Sequence, residues 1–216
     1  MAASGPDAIQ VAAKYTNGLI STSKPDNAKE TFDIFDKAAA EKGKDPTILE
    51  KIAKPKISYS EDYDEAVRSC EFWRASLIEN IFDLDISDPI KLQEKAKQEI
   101  SDDKLKQSIL IVTKIDNLIK PIEGYFKSGF TQVFTHSTSP NEKEFIQKFT
   151  KGVLPYFMDN LTTRDRIERT LIIIIHTWHM FYNIVIWVLL HRKGEISHLS
   201  EQTKYLNHPD LRSTLS

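Results

Sequence analysis

The chain has 216 residues, 40% of them hydrophobic and 28% charged, with a net charge of −2. Those values suit one globular domain with a real core and exclude a disordered or fibrous chain. No block of like charge is long enough to hold nucleic acid through counterion release. The single cysteine, Cys70, excludes an intramolecular disulfide.

The first ten residues carry neither a basic nor an apolar leader region, so an intracellular, cytoplasmic protein is expected. Asp7 is placed to cap a helix running to about Ser21, which Gly18 weakens. Asp26 opens the next helix, with Ala28, Phe32, Phe35 and Ala39 at helical spacing and Gly43 as its stop. Asp45-Pro46 sets a cap beside an N1 proline and opens a short helix that Pro55 ends.

From Ser60 the acids Glu61, Asp62, Asp64 and Glu65 load a first turn. Tyr63, Ala66, Val67, Cys70, Trp73, Leu77, Ile81 and Leu84 then recur every three to four residues, the stripe of a core-facing helix with Trp73 and Leu77 buried. Asp88-Pro89 opens a charged surface helix, and Ser101 caps a second striped one through Leu105, Ile109, Val112, Ile115, Ile119, Ile122 and Phe126. Pro121 should kink or break it. Residues 129–139 read as a connector, and Ser139-Pro140-Asn141-Glu142 as a capping box before a helix carrying Phe145, Ile146, Phe149 and Val153.

Leu171–Leu190 dominates the rest. Twelve of its twenty residues are Leu, Ile, Val or Phe, and none is charged. As a helix it would rise roughly 30 Å, the thickness of a bilayer core. Its apolar content favours insertion by roughly 5 kcal/mol. Against that, His176, His179 and Asn183 fall on one face and suit a central helix that meets neighbours. They form a polar stripe that could respond to pH, since imidazole titrates near neutrality.

The fold class expected is therefore all-α: a multi-helix bundle around one long apolar helix spanning about 163–193. Residues 1–25 would form a partly helical N-terminal segment, 26–206 the bundle and 207–216 a polar tail. Ile174, Trp178, Phe181 and Val185 would be masked by the stripes of 63–84 and 105–126. No nucleotide motif, metal set or catalytic constellation is visible, so no cofactor is assigned and an enzyme is not favoured. The function this supports is a non-enzymatic interaction or signalling protein that binds protein partners. The alternatives are a membrane-active protein using 171–190 and a bundle that binds a lipid or other apolar ligand.

Overall fold

The computed structural model describes residues 1–79 and 81–160 and the strands 170–175 and 185–186. In chain order it contains α1 (Pro6–Tyr15), β1 (Gly18–Ser21), α2 (Ala28–Ala40), β2 (Glu50–Ala53), β3 (Lys56–Tyr59), α3 (Tyr63–Ser69), α4 (Pro89–Glu99), α5 (Asp102–Ser108), β4 (Leu110–Val112), α6 (Ile119–Lys127), β5 (Gln132–Ser137), α7 (Glu142–Gly152), α8 (Leu154–Asn160), β6 (Thr170–Ile175) and β7 (Val185–Ile186). Strands alternate with helices, which is the signature of a parallel sheet built from βα units.

β1 pairs in parallel with β2, β2 and β3 both pair in parallel with β5, and β3 pairs in parallel with β4. β2 and β3 are two halves of one strand. Ile52 and Ala53 face Gln132 and Val133, and Lys56 and Ile57 face His136 and Ser137, at the same offset on either side of Pro55. Pro55 has no N–H to give the ladder, but its carbonyl still accepts from the His136 N–H at 2.9 Å. On its other edge β1 meets residues 1–3, where Ala2 bridges Ile20 in parallel.

Side chains alternate between the two faces of the sheet. Leu19, Ala53, Ile57, Tyr59 and Val133 point to the helices and are buried. They meet Ile9, Ala12 and Phe35 from α1 and α2, and Ile122, Phe126, Phe145, Phe149 and Phe157 from α6, α7 and α8. Lys51, on the same face, reaches Asp36 of α2 at 2.7 Å. Ile20, Ile52, Lys54, Lys56, Phe134 and His136 alternate onto the opposite, inner face, where Ile20, Ile52 and Phe134 are only half-buried. Parallel strands with helices on the outer side and a second, inner face make up part of a (β/α)8-type barrel.

This overturns the all-α bundle and its long helix. Thr170–Ile175 is a strand paired along its whole length with β5, with Ile174 opposite His136. Val185 lies on β7, antiparallel to β6 and opposite Ile174. Ile174 and Val185 are thus strand residues, not faces of a masked helix. His176, Trp178, His179, Phe181 and Asn183 lie outside the described residues. Among the described residues no helix is long and apolar enough to cross a membrane.

The other expected helices divide in the same way. The 7–21 helix ends at Tyr15, and Gly18 begins a strand: a Cβ there would lie 2.7 Å from the Glu50 Cβ. The 60–84 stripe is α3 followed by 3₁₀ turns over Glu71–Leu77 and Ile81–Asp83, which leaves Trp73 and Leu77 half-buried. The 101–126 helix is α5, β4 and α6. Pro121 falls in the first turn of α6, where its missing N–H is not needed. The 129–139 connector is β5. The starts of α2, α4 and α7 fall within two residues of where the sequence places them, and Asp88 and Ser101 cap as expected.

Candidate active site at the carboxyl ends of the strands

In barrels of this kind the loops that follow the strands form the working face. Among the described residues, the junctions after β1, β3 and β5 are rich in hydroxyls. After β1, the Ser21 hydroxyl donates to the Ser23 hydroxyl at 2.9 Å, Ser23 Oγ lies 3.0 Å from Thr31 Oγ1, and Lys24 Nζ donates to the Gln107 carbonyl at 2.9 Å. After β3, Ser60 donates to Glu65 Oε2 at 2.6 Å. After β5, Ser137 donates to Ser139 at 2.9 Å, and Ser139 Oγ accepts from the Tyr59 N–H at 2.9 Å. Ser58, Thr138 and Ser139 are buried, and their hydroxyls are committed to the backbone of neighbouring elements: Ser58 donates to the Ala66 carbonyl of α3, Thr138 donates to the Ile57 carbonyl of β3, and Ser139 accepts from Tyr59 of β3. They fix the shape of the rim, because a buried polar group without a partner would be costly.

A further junction precedes α1. Residues 1–3 run parallel to β1, so Ser4-Gly5-Pro6 lies at the same end of the sheet as the loops above. Gly5 takes φ 82°, a left-handed conformation that favours glycine, and a Cβ there would meet nothing within 4 Å. No side chain caps α1. The first-turn N–H groups of Asp7 and Ala8 therefore point outward at the positive end of a ten-residue helix, the arrangement that receives anions elsewhere. The acidic Asp7 in that turn works against it.

Inside the rim, on the inner face, stands a stack of three side chains. Lys56 Nζ lies 4.8 Å from the centre of the Trp73 ring and donates to Ser76 Oγ at 2.6 Å. Trp73 meets His136 edge to face, with ring centres 4.7 Å apart and planes at 81°. Lys56 and His136 are register partners on β3 and β5, with His136 near the carboxyl end of β5. Trp73 and Ser76 come from the 3₁₀ turn after α3, whose position is set by Arg74. Arg74 is 4% exposed, and its guanidinium donates to Glu71, to Asp102 at 2.6 Å and to the Ile100 carbonyl. Burial pushes the Lys56 ammonium below its ordinary pKa, and the like charge of Lys54 pushes it the same way. Cys70 is buried behind this stack and its thiol is pushed up by burial, so it is a packed group and not a nucleophile.

The sequence reading placed its candidate residues elsewhere. Lys54, Lys56 and His136 do not stand out in the sequence, because Pro55 reads as a helix end and 129–139 as a connector. The available signal was the run Ile52-Ala-Lys-Pro-Lys-Ile-Ser-Tyr59, in which lysines alternate with apolar residues at the period of a strand.

Fold and site together define a parallel half-barrel of the (β/α) type, with its strand-to-helix loops gathered at the carboxyl ends of the strands. The pattern that defines the luciferase-like monooxygenases matches residues 1–132, and the chain belongs to that family. It is similar to the F420-dependent glucose-6-phosphate dehydrogenase of Microbacterium testaceum, 24% identical over 156 residues that make up 71% of this chain and 46% of that protein. The Mycobacterium leprae enzyme of the same name is 23% identical over 158 residues, covering 72% of this chain and 47% of that protein. Among solved structures, an F420-dependent secondary alcohol dehydrogenase in complex with an F420-acetone adduct superimposes with a TM-score of 0.65 and 27% identity, over 71% of this chain and 47% of that one. The F420-dependent tetrahydromethanopterin reductase of Methanopyrus kandleri shares the fold, at a TM-score of 0.56 and 20% identity. The chain spans about half the length of the relatives it matches. These relatives are enzymes, and that corrects the expectation of a non-enzymatic interaction protein.

Proposed function

We propose that this chain is the cofactor-holding part of an F420-dependent oxidoreductase. The observation that carries the reading is the inner-face stack of Lys56, Trp73 and His136 beneath a hydroxyl-rich rim, on a sheet that superimposes on an F420-dependent alcohol dehydrogenase. F420 is a deazaflavin with a phosphate in its side chain, and when bound it supplies hydride transfer.

The residues present fit such a group. The unclaimed N–H groups of Asp7 and Ala8, next to the open Gly5, would hold the phosphate. The rim hydroxyls hold the loops in place, so the mouth is formed before a ligand arrives. The half-buried indole of Trp73, braced at right angles by the buried His136 ring, offers an aromatic face against which a planar ring system can lie.

Binding of F420, followed by the change in its own fluorescence, tests the reading with FMN as competitor. Saturable F420 binding that FMN does not displace is the expected result. FMN bound in its place, with no F420 uptake, would move the chain to flavin chemistry. Replacing Asp7 by Asn removes a negative charge from the helix end and should tighten F420 binding by about two- to fivefold. An unchanged affinity would detach the phosphate from α1.

A further inference from the structure

The inner face carries a second charged residue that the stack does not use. Lys54 lies two residues before Lys56 on the continuous strand 50–59, so both side chains leave the same face of the sheet, with Cα atoms about 6.6 Å apart. The face is fixed independently: Lys51 and Ala53, at the odd positions, point to the helices, where Lys51 Nζ meets Asp36 and lies 4.8 Å from the centre of the Phe32 ring. Lys54 is opposite Phe134 and one layer deeper than Lys56 and His136.

Among the described residues, neither lysine pairs with a carboxylate, although most other partly covered cations do. Lys51 has Asp36, Arg74 has Glu71 and Asp102, and Lys95 has Glu99. Two like charges on the concave side of a sheet, one of them part-desolvated, repel each other and focus a positive potential into the mouth. Lys56 also brings the Ser76 hydroxyl, 2.6 Å away, as a neutral hydrogen-bonding partner.

We propose that Lys54 and Lys56, with Ser76, form an oxyanion-binding subsite on the inner face, beneath Trp73, that receives a phosphate or carboxylate group of the ligand. It is separate from the helix end proposed for the cofactor phosphate, since it lies on β2 and β3 and not in the loop before α1. The subsite rests on the proposed function only for which molecule carries the oxyanion; the binding of a free oxyanion does not depend on it. An acidic ligand would gain two charge-assisted contacts there, and a neutral analogue would leave both ammonium groups uncompensated.

The test reads Trp73 emission, with Trp178 and Trp187 replaced by Phe so that Trp73 is the one tryptophan left of three. Inorganic phosphate and acetate are titrated separately against chloride at matched ionic strength. A saturable change with phosphate, acetate or both is expected, and the two arms distinguish a phosphorylated ligand from a carboxylic acid. Lys54→Gln and Lys56→Gln should each weaken that binding roughly tenfold or more. Lys54 is the less constrained of the two, so its variant keeps the test alive if Lys56→Gln fails to fold. A change no greater than that with chloride, or Lys54→Gln binding as tightly as the parent, overturns the subsite. F420 binding is measured on the same samples. Its loss with the oxyanion response intact would refute the cofactor reading alone, and the reverse would refute the subsite alone.

Discussion

Arg74 is the residue through which the segment over the mouth can be perturbed from a distance. Its guanidinium bonds to Glu71, Ile100 and Asp102, and so ties the 3₁₀ turn that carries Trp73 and Ser76 to the α4–α5 junction. Arg74→Met keeps much of the stem's volume and deletes the guanidinium. The Ile100 carbonyl then loses its donor in a buried setting, which costs about 1–3 kcal/mol. The lost pairing with Glu71 and Asp102 adds little, because those carboxylates are 41% and 75% exposed and water replaces the contact. The expected loss in urea unfolding followed by far-UV circular dichroism is therefore about 2 kcal/mol, toward the larger end for a single substitution. The same variant should also alter Trp73 emission under native conditions, because the turn that positions the ring is no longer pinned. A loss under ~0.5 kcal/mol with unchanged emission would refute the reasoning: the turn would be held by Ala75, Ile78, Ala96 and Ile100 packing alone.

Three further outcomes follow from the packing and charges. Gly18→Ala would drive a Cβ to 2.7 Å from the Glu50 Cβ and 3.0 Å from its carbonyl oxygen, so β1 and β2 must part and stability should fall by about 1–3 kcal/mol in the same denaturation assay. Phe149→Ala empties a fully buried site beside Phe145 and should cost about 3–5 kcal/mol; a loss below ~1 kcal/mol would show that α7 does not seal the outer core. Lys148 pairs with Glu61 and holds that carboxyl below its ordinary value of 4.5. Because the folded state has the depressed pKa, this contribution is present above about 4.5 and lost as pH falls through the folded value. An NMR titration of Glu61 should show the low midpoint, and Lys148→Met should return it to the ordinary range.

Local chemistry was legible wherever a short-range rule governs. Asp88-Pro89 and Ser101 cap α4 and α5, Gly43 takes its positive φ of 73° past α2, and the amphipathic stripes of α2 and α7 bury Phe32, Phe35, Phe145 and Phe149. The strands were not legible, for a physical reason. A parallel strand covered on one face by helices and on the other by barrel interior appears as a short apolar run, and such runs of three to six residues have no period long enough to separate strand from helix. Ile109–Val112 and Ile119–Phe126 therefore read as one helix, and Leu171–Ile175 as part of the long helix over about 163–193. Only the tertiary structure decided which strands lie side by side, β4 against β3 and β5 between β3 and β6. That pairing brings Lys56 beside His136, residues far apart in the chain, and sets Trp73 over them from a turn that Arg74 holds in place. Non-local hydrogen bonding between strands made the site, and no feature within a single segment encodes which strand its neighbour will be.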